Sequence, residues 1–247
     1  MSTIQVDLTK SHPPKHAAQM EFPVSLRVTN TVKLLREQVS DKLRQAIVQG
    51  WYKPGVRLIE RELCENVGAS RTSVREALRQ LETEGLVAVE PRRGPVVASI
   101  TLAQAKEIYE LRVVFEVFAI RRFIERSLPE DLAQLRQCYR QFADAVRKNE
   151  LTALVESMSA FYSTLFRGAG NGMLETISAQ LLARISYLRA TSMSIKGRPK
   201  VSLREIAAIL HAIENGDVAA GERAVADHIE QASKAAFAQL SQQAASS

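Results

Sequence analysis

Three arginines in the first half of the chain are spaced to meet an anion together. In Ser70-Arg71-Thr72-Ser73-Val74-Arg75-Glu76-Ala77-Leu78-Arg79, Arg71 and Arg75 are four residues apart, and Arg79 follows one turn later. On a helix this spacing places the three guanidinium groups on one face. Val74, Leu78 and Leu81 take the opposite face. One side is thus committed to a core and the other to anions. Arg71, Thr72 and Ser73 fall in the first turn, where free backbone N–H groups and the helix dipole also favour phosphate. An arginine fork matches O6 and N7 of guanine in the major groove, with about 1–3 kcal/mol of discrimination per good pair. For a single arginine the alternative is a solvated face paired to Glu76 or Glu82. For the set opening one helix, DNA is the expected partner. Ser70 stands where an N-cap belongs, and Ser73 is too short to complete a capping box.

The flanking segments supply a scaffold for that helix. Val32, Leu35, Val39, Leu43 and Ile47 recur at three- and four-residue steps, a helical period from about Thr29 to Gly50. Lys53-Pro54-Gly55 forces a turn. A short helix is predicted over 60–67, with Leu63 and Val67 inward and Gly68 closing it. The arginine-bearing helix runs to about Glu84 and stops at Gly85. Leu86–Val89 is a short β run, Pro91–Pro95 a turn, and Val96–Ala98 the returning strand. Helix, helix, turn, helix, hairpin is the order of a winged helix-turn-helix. Arg92 and Arg93 at the wing tip are placed to reach phosphate or the minor groove, the alternative being a charged hairpin turn.

From Thr101 onward no strand pattern appears. Thr101 caps a long helix to about Ser127, and Pro129 opens the next, to about Lys148. Further helical stretches are predicted near 151–168, 173–192, 201–215 and 217–239. The expected fold is therefore mainly α: an N-terminal winged helix-turn-helix followed by an all-α bundle of about six helices. Residues 1–27 are expected to be a flexible arm with Pro13, Pro14 and Pro23, 28–99 the DNA-binding domain, 100–241 the bundle and 242–247 a frayed tail.

Composition narrows the function classes. The 247 residues are 46% hydrophobic and 24% charged, ordinary for a globular protein, so wholesale disorder is excluded. Residues 25–99 hold 13 basic and 9 acidic side chains, against 18 and 16 in residues 100–247, so the excess charge is concentrated where the arginine helix lies. Cys64 and Cys138 are too few for a disulfide framework or a Cys-based zinc site. No run approaches a membrane span and the N-terminus is not a secretory signal, so a cytoplasmic protein without membrane partners is expected. No nucleophile elbow, phosphate loop or paired-carboxylate motif suggests an enzyme.

Pro54-Gly55-x-x-Leu58, Glu60-Arg61-Glu62-Leu63, Gly68-x-Ser70-Arg71-Thr72-x-Val74-Arg75-Glu76-Ala77-Leu78-x-x-Leu81-x-x-x-Gly85-Leu86-Val87 resembles the GntR family of bacterial transcription regulators. The resemblance implies a homodimer that binds a short palindrome in double-stranded DNA, with Arg61, Arg71, Thr72, Arg75 and Gly94 at the interface. Ser70, Ser73, Arg92 and Arg93 complete the expected contact set. The second half resembles the FCD effector domain, through Glu107-Ile108-Tyr109-Glu110-Leu111-Arg112 with Glu116, the Gly170-Asn171 break, Ala212-Ile213-x-x-Gly216-Asp217 and Asp227-His228-Ile229.

That second resemblance also exposes a departure. Many FCD domains hold a divalent metal through an Asp and a His four apart on one helix and a His on each of two later helices. The matching positions here are Met158, Tyr162, Ile206 and His228. One imidazole with Met, Tyr and Ile is no transition-metal site, so no metal cofactor is expected. Arg112 lies in a helix that is apolar nearly all round, which should be buried on most sides. Its partner is either an effector carboxylate or Glu116, four residues on. Met158, Tyr162 and His228 either line an effector cavity or simply fill the core. The expected function is a sequence-specific regulator, a repressor, whose bundle senses a small organic carboxylate. The alternative is a bundle that has lost ligand binding and serves only dimerisation.

Overall fold

The structure is a computed structural model and describes residues 30–245, with side chains over 35–243. The expected arm, residues 1–27, lies outside the described residues. The N-terminal part comprises α1 (Asn30–Val48), α2 (Glu60–Val67), α3 (Arg71–Thr83), β1 (Val87–Glu90) and β2 (Gly94–Val97). Val39, Leu43 and Ile47 of α1 and Val74, Ala77, Leu78 and Leu81 of α3 are buried in one core, which is what the 3–4 spacing dictates. Leu35, assigned to the same stripe, is instead exposed. The polar contacts between the two helices run from Ser40–Gln80 to Arg44–Glu84, and the buried side of α1 starts at Val39.

Gly85 ends α3 region in a left-handed conformation, φ 74°. The positive φ is what makes the turn into β1 favour glycine, since the Arg184 side-chain end beside it can move aside. The two strands pair antiparallel, Val87 with Val97 and Glu90 with Gly94. The second strand starts two residues earlier than the sequence pattern suggests. Arg92 (φ 68°) and Gly94 (φ 79°) both take left-handed backbone, which tightens the turn and lets Gly94 pair with Glu90. Arg57 forms a bridge to Val96 on the other edge of β2.

Six further helices follow: α4 (Leu102–Arg126), α5 (Pro129–Lys148), α6 (Leu151–Gly168), α7 (Gly172–Met193), α8 (Arg198–Glu214) and α9 (Val218–Ala245). Thr101 caps α4 in a complete capping box with Gln104. Pro129 opens α5, and Asn171 caps α7 through Leu174 N–H. α8 begins at Arg198, ahead of the predicted Val201, because Pro199 is tolerated in a first helical turn. α9 continues to Ala245 where a frayed tail was expected from 242. α4 packs on α9, α5 on α6, α8 on α9 and α7 on both α6 and α9, around Phe123, Phe142, Phe161 and Leu188. The fold class is as the sequence suggests, a winged helix-turn-helix followed by a six-helix bundle.

α4 corrects one expectation. Its Arg112 and Glu116 are enclosed, yet Leu111, Val114 and Phe118 are exposed, Val114 by 63%. The helix is apolar all round because two different faces are apolar, and only one of them faces the bundle. α1 meets α7, Gln45 Nε2 donates to Glu156 Oε1 at 3.0 Å, and a cavity of about 320 Å³ lies between α1 and the α6–α7 pair, lined in part by Arg44, Gln45, Ser159 and Ser186. Among the described residues no helix is long and apolar enough to cross a membrane.

Candidate functional site

The first candidate site is the outer face of α3. Ser70 has extended backbone and accepts a hydrogen bond from Ser73 N–H at 3.2 Å, the N-cap the sequence suggests. The Ser73 hydroxyl lies 3.0 Å from that of Ser70, so the two hydroxyls engage each other at the helix start. Arg71, Thr72, Arg75 and Arg79 are exposed, while Val74, Ala77, Leu78 and Leu81 are buried. The helix is therefore divided lengthwise into a core side and a cationic side.

The cations of that face differ in what holds them. Arg71 and Arg92 have no side-chain partner among the described residues. Arg75 Nε sits 2.9 and 2.8 Å from the two carboxylate oxygens of Glu60, not from Glu76 or Glu82. That hydrogen bond, with the charge of Glu60, raises the Arg75 pKa and ties α3 to the start of α2. Arg79 pairs with Glu76, and Arg61 with Glu65 on its own helix. Arg93 pairs with Glu90 and also donates to Gly55 O at 3.2 Å, so it braces the wing against the α1–α2 loop. Arg92, not Arg93, carries the free charge of the hairpin. Gly94 contributes its left-handed backbone there.

The second candidate site is inside the bundle. Arg112 is 2% exposed and its Nε donates to Glu116 Oε1 at 2.8 Å, so the intrahelical partner is present. Burial opposes the Arg112 charge, but Glu116 outweighs it and the pKa rises. The guanidinium lies 4.9 Å from the Tyr109 ring centroid and 6.0 Å from that of Tyr162. Tyr162 is raised well above the usual phenol value, mainly by burial and then by Glu116. Neither Tyr162 Oη nor Glu116 Oε2 makes a hydrogen bond of normal geometry. Met158, one turn earlier on α6, is fully buried.

His228 is buried with Nδ1 2.7 Å from Glu205 Oε2. Burial lowers its pKa despite that carboxylate. Glu205 also accepts both terminal nitrogens of Arg198, at 2.9 and 2.8 Å. Burial raises Glu205, but the His228 and Arg198 hydrogen bonds prevail and its pKa falls. This Arg198–Glu205–His228 group escaped the sequence reading, although Glu205 adjoins Ile206, one of the positions compared with the metal ligands. Arg189 was missed as well. It is 5% exposed in α7, where residues 185–193 are buried without interruption. A charge in a helix segment without a polar side is the same signal that singled out Arg112.

The family's metal does not fit these residues. Met158, Tyr162 and Ile206 offer no ligand set with His228, whose Nδ1 is occupied by Glu205. No group of three His, Cys, Asp or Glu side chains able to hold a metal occurs among the described residues.

Two family models match the chain. Residues 35–97 match the model of the bacterial regulatory proteins, gntR family, and residues 107–231 match that of the FCD domain. The HTH-type transcriptional repressor RspR of Escherichia coli is 28% identical over 205 residues, covering 83% of this chain and 90% of that protein. An HTH-type transcriptional regulator from an unstable DNA locus of Streptomyces ambofaciens is 30% identical, covering 78% and 81%. Among solved structures, E. coli McbR/YncC superposes with a TM-score of 0.72 at 25% identity, over 85% of this chain and 98% of that one.

Proposed function

This chain belongs to the GntR family of bacterial regulatory proteins and carries an FCD domain, and from that premise we propose that it is a homodimeric repressor whose bundle senses a small organic carboxylate. The observation that carries the DNA reading is the exposed, unpaired Arg71 at the start of α3, flanked by Thr72 and Arg75 on a helix whose other side is buried. Arg71 and Arg75 read base edges, Thr72 and the Ser70–Ser73 helix start meet phosphate, and Arg92 with Gly94 brings the wing to the backbone. Arg61 adds a phosphate contact from α2. Arg93 holds the wing in position. A relative named as a repressor, RspR, supports the sign of control.

The exposed apolar side of α4 supports the dimer. Leu111, Val114 and Phe118 form one stripe at steps of three and four, and a second copy of the same stripe would cover it. The alternative, a bundle that serves dimerisation alone, draws on the same stripe. Pairing two copies would space two α3 helices for a palindrome.

The test is selection of duplexes from a random-sequence pool with the full-length protein, followed by binding to the selected palindrome and a scrambled duplex at two salt concentrations. A specific regulator prefers the palindrome by roughly 10³-fold or more. Equal binding to both duplexes would overturn the reading. Phe118→Glu should give monomers that lose most of that preference, and an unchanged dimer would remove α4 from the interface.

A further inference from the structure

The cavity of about 320 Å³ between α1 and the α6–α7 pair lies on the seam of the two domains. Its size is at the lower end for small-molecule sites, which favour such seams. Val48 of α1, Leu151 and Val155 of α6 and Leu182 of α7 give it an apolar wall. Leu182 is exposed there, although α7 is buried without interruption from residue 185 to 193. The polar lining includes Asp41, Arg44 and Gln45 on one side and Glu156, Ser159 and Ser186 on the other. These groups differ in what they have left to offer. Arg44 is engaged throughout: its Nε and Nη2 donate to Glu84 at 2.8 and 2.7 Å, and its Nη1 donates to Asp41. Glu156 accepts a hydrogen bond from the neutral Gln45 Nε2 at 3.0 Å, and no cation pairs with it among the described residues. Asp41 and Glu156 thus face one guanidinium, which Glu84 shares from outside the lining. The cavity is short of positive charge, and the shortage is at Glu156. At the other end Arg189, which does not line the cavity and has no carboxylate partner among the described residues, donates from Nη1 to Ser159 Oγ at 2.9 Å. That end repels a second cation.

We propose that this interdomain cavity is a ligand site separate from the bundle interior, that it takes a primary organic amine with a compact apolar body, and that its occupation loosens α1 from the bundle. The ammonium sits at Glu156 and donates a charge-assisted hydrogen bond to it. The apolar body lies along Val48, Val155 and Leu182. An organic anion would find no free cation in the lining, and a neutral ligand would leave Glu156 without its counter-charge. Glu156 is exposed, so salt screens the pair and the apolar wall supplies the rest of the affinity. The site reaches the DNA-binding region through the same carboxylate. The hydrogen bond from Gln45 to Glu156 ties α1 to α6, and α1 packs on α3. An ammonium at Glu156 competes with Gln45 for the oxygen that makes this tie, so the amine shifts the seat of the arginine-bearing helix.

The test reads binding first, without DNA. Full-length protein is titrated calorimetrically and melted with benzylamine, with benzyl alcohol as the neutral counterpart and benzoate as the anionic one. Benzylamine should bind and raise Tm, and the other two should bind at least about tenfold more weakly. Glu156→Gln keeps an oxygen for the Gln45 hydrogen bond and removes the charge. It should weaken benzylamine binding about tenfold and leave Tm without ligand unchanged. Gln45→Ala frees Glu156 and should tighten benzylamine binding roughly threefold. Leu182→Trp, at an exposed position on the wall, should fill the cavity and block binding. No binding of benzylamine, equal binding of benzyl alcohol, or wild-type binding by Glu156→Gln or Leu182→Trp overturns the site. Affinity for the selected palindrome is then measured with benzylamine at saturation. It should change in the wild type and stay constant in Glu156→Gln, and Gln45→Ala without amine should shift it in the same direction. Benzylamine that binds through Glu156 while operator affinity is unmoved overturns the loosening of α1. This last arm alone rests on the DNA-binding reading: a protein that selects no palindrome refutes that reading, and the titrations still decide the amine site.

Discussion

Arg71 and Arg75 stand in water on α3, whereas Arg112, Arg189 and Arg198 are enclosed in the bundle. The same side chain serves opposite purposes in the two places. On α3 the charge costs little to hold, because water solvates it. An ion pair there, such as Arg75 with Glu60, contributes little to stability at its exposed position. In the bundle an unmatched charge is costly, and removing one member of a matched pair leaves the other enclosed and uncompensated. Substitution of an exposed α3 arginine should therefore change binding and spare the fold, and breaking a matched ion pair in the bundle should lower stability.

The largest expected effect is on the buried side. Arg112→Met leaves Glu116 enclosed without its partner and should cost about 3–5 kcal/mol of stability. Chemical denaturation measures this, and adding Glu116→Leu should recover most of the loss. A single variant as stable as wild type would erase the contrast between the two regions. Next comes Arg71→Ala, expected to weaken binding to the selected palindrome by about 1–3 kcal/mol with Tm unchanged. If Tm falls and affinity does not, the roles of the two regions are exchanged. Ser70→Ala should cost about 1 kcal/mol of stability by removing the cap on Ser73 N–H, which marks the one place on the α3 face where local structure, not charge, is at stake.

The smallest effect is a pH dependence. The folded pKa of His228 lies below its ordinary value, so below pH 7 the unfolded chain binds more protons there than the folded one. Stability must then fall as pH drops through the ordinary histidine pKa, near 6.5. Glu205, also lowered, adds a loss at more acidic pH, as the pH approaches and passes its folded pKa. Tm of the wild type should decline between pH 7 and pH 5, and His228→Gln should flatten the upper part of that decline. An equal slope in both proteins would show that His228 does not differ between the folded and unfolded states.

The helices of both halves were legible because their boundaries are written locally. Ser70 and Thr101 cap helices in the structure, as their types and positions suggest, and Pro129 opens one. Where boundaries shifted, long-range or backbone geometry decided: Gly94 joins β2 because Arg92 adopts positive φ. On α4 the apolar pattern misled, since an exposed apolar face and a face turned to a core carry the same residue types. Leu111 and Val114 look no different in sequence from Ile108 and Ala119, and only packing separates them.

Sequence alone determined the fold class and the helix that carries Arg71, Thr72 and Arg75. Each depends on spacing along one element or on the chemistry of a single side chain. Only the tertiary structure decided that Arg75 is held by Glu60, that Arg93 is tied to Glu90 and Gly55, and that His228 and Arg198 share Glu205. It alone left Arg189 without a carboxylate. Charge balance in a closed interior is a sum over α4, α6, α7, α8 and α9 together, and helical periodicity, which acts over a few residues, carries no record of it.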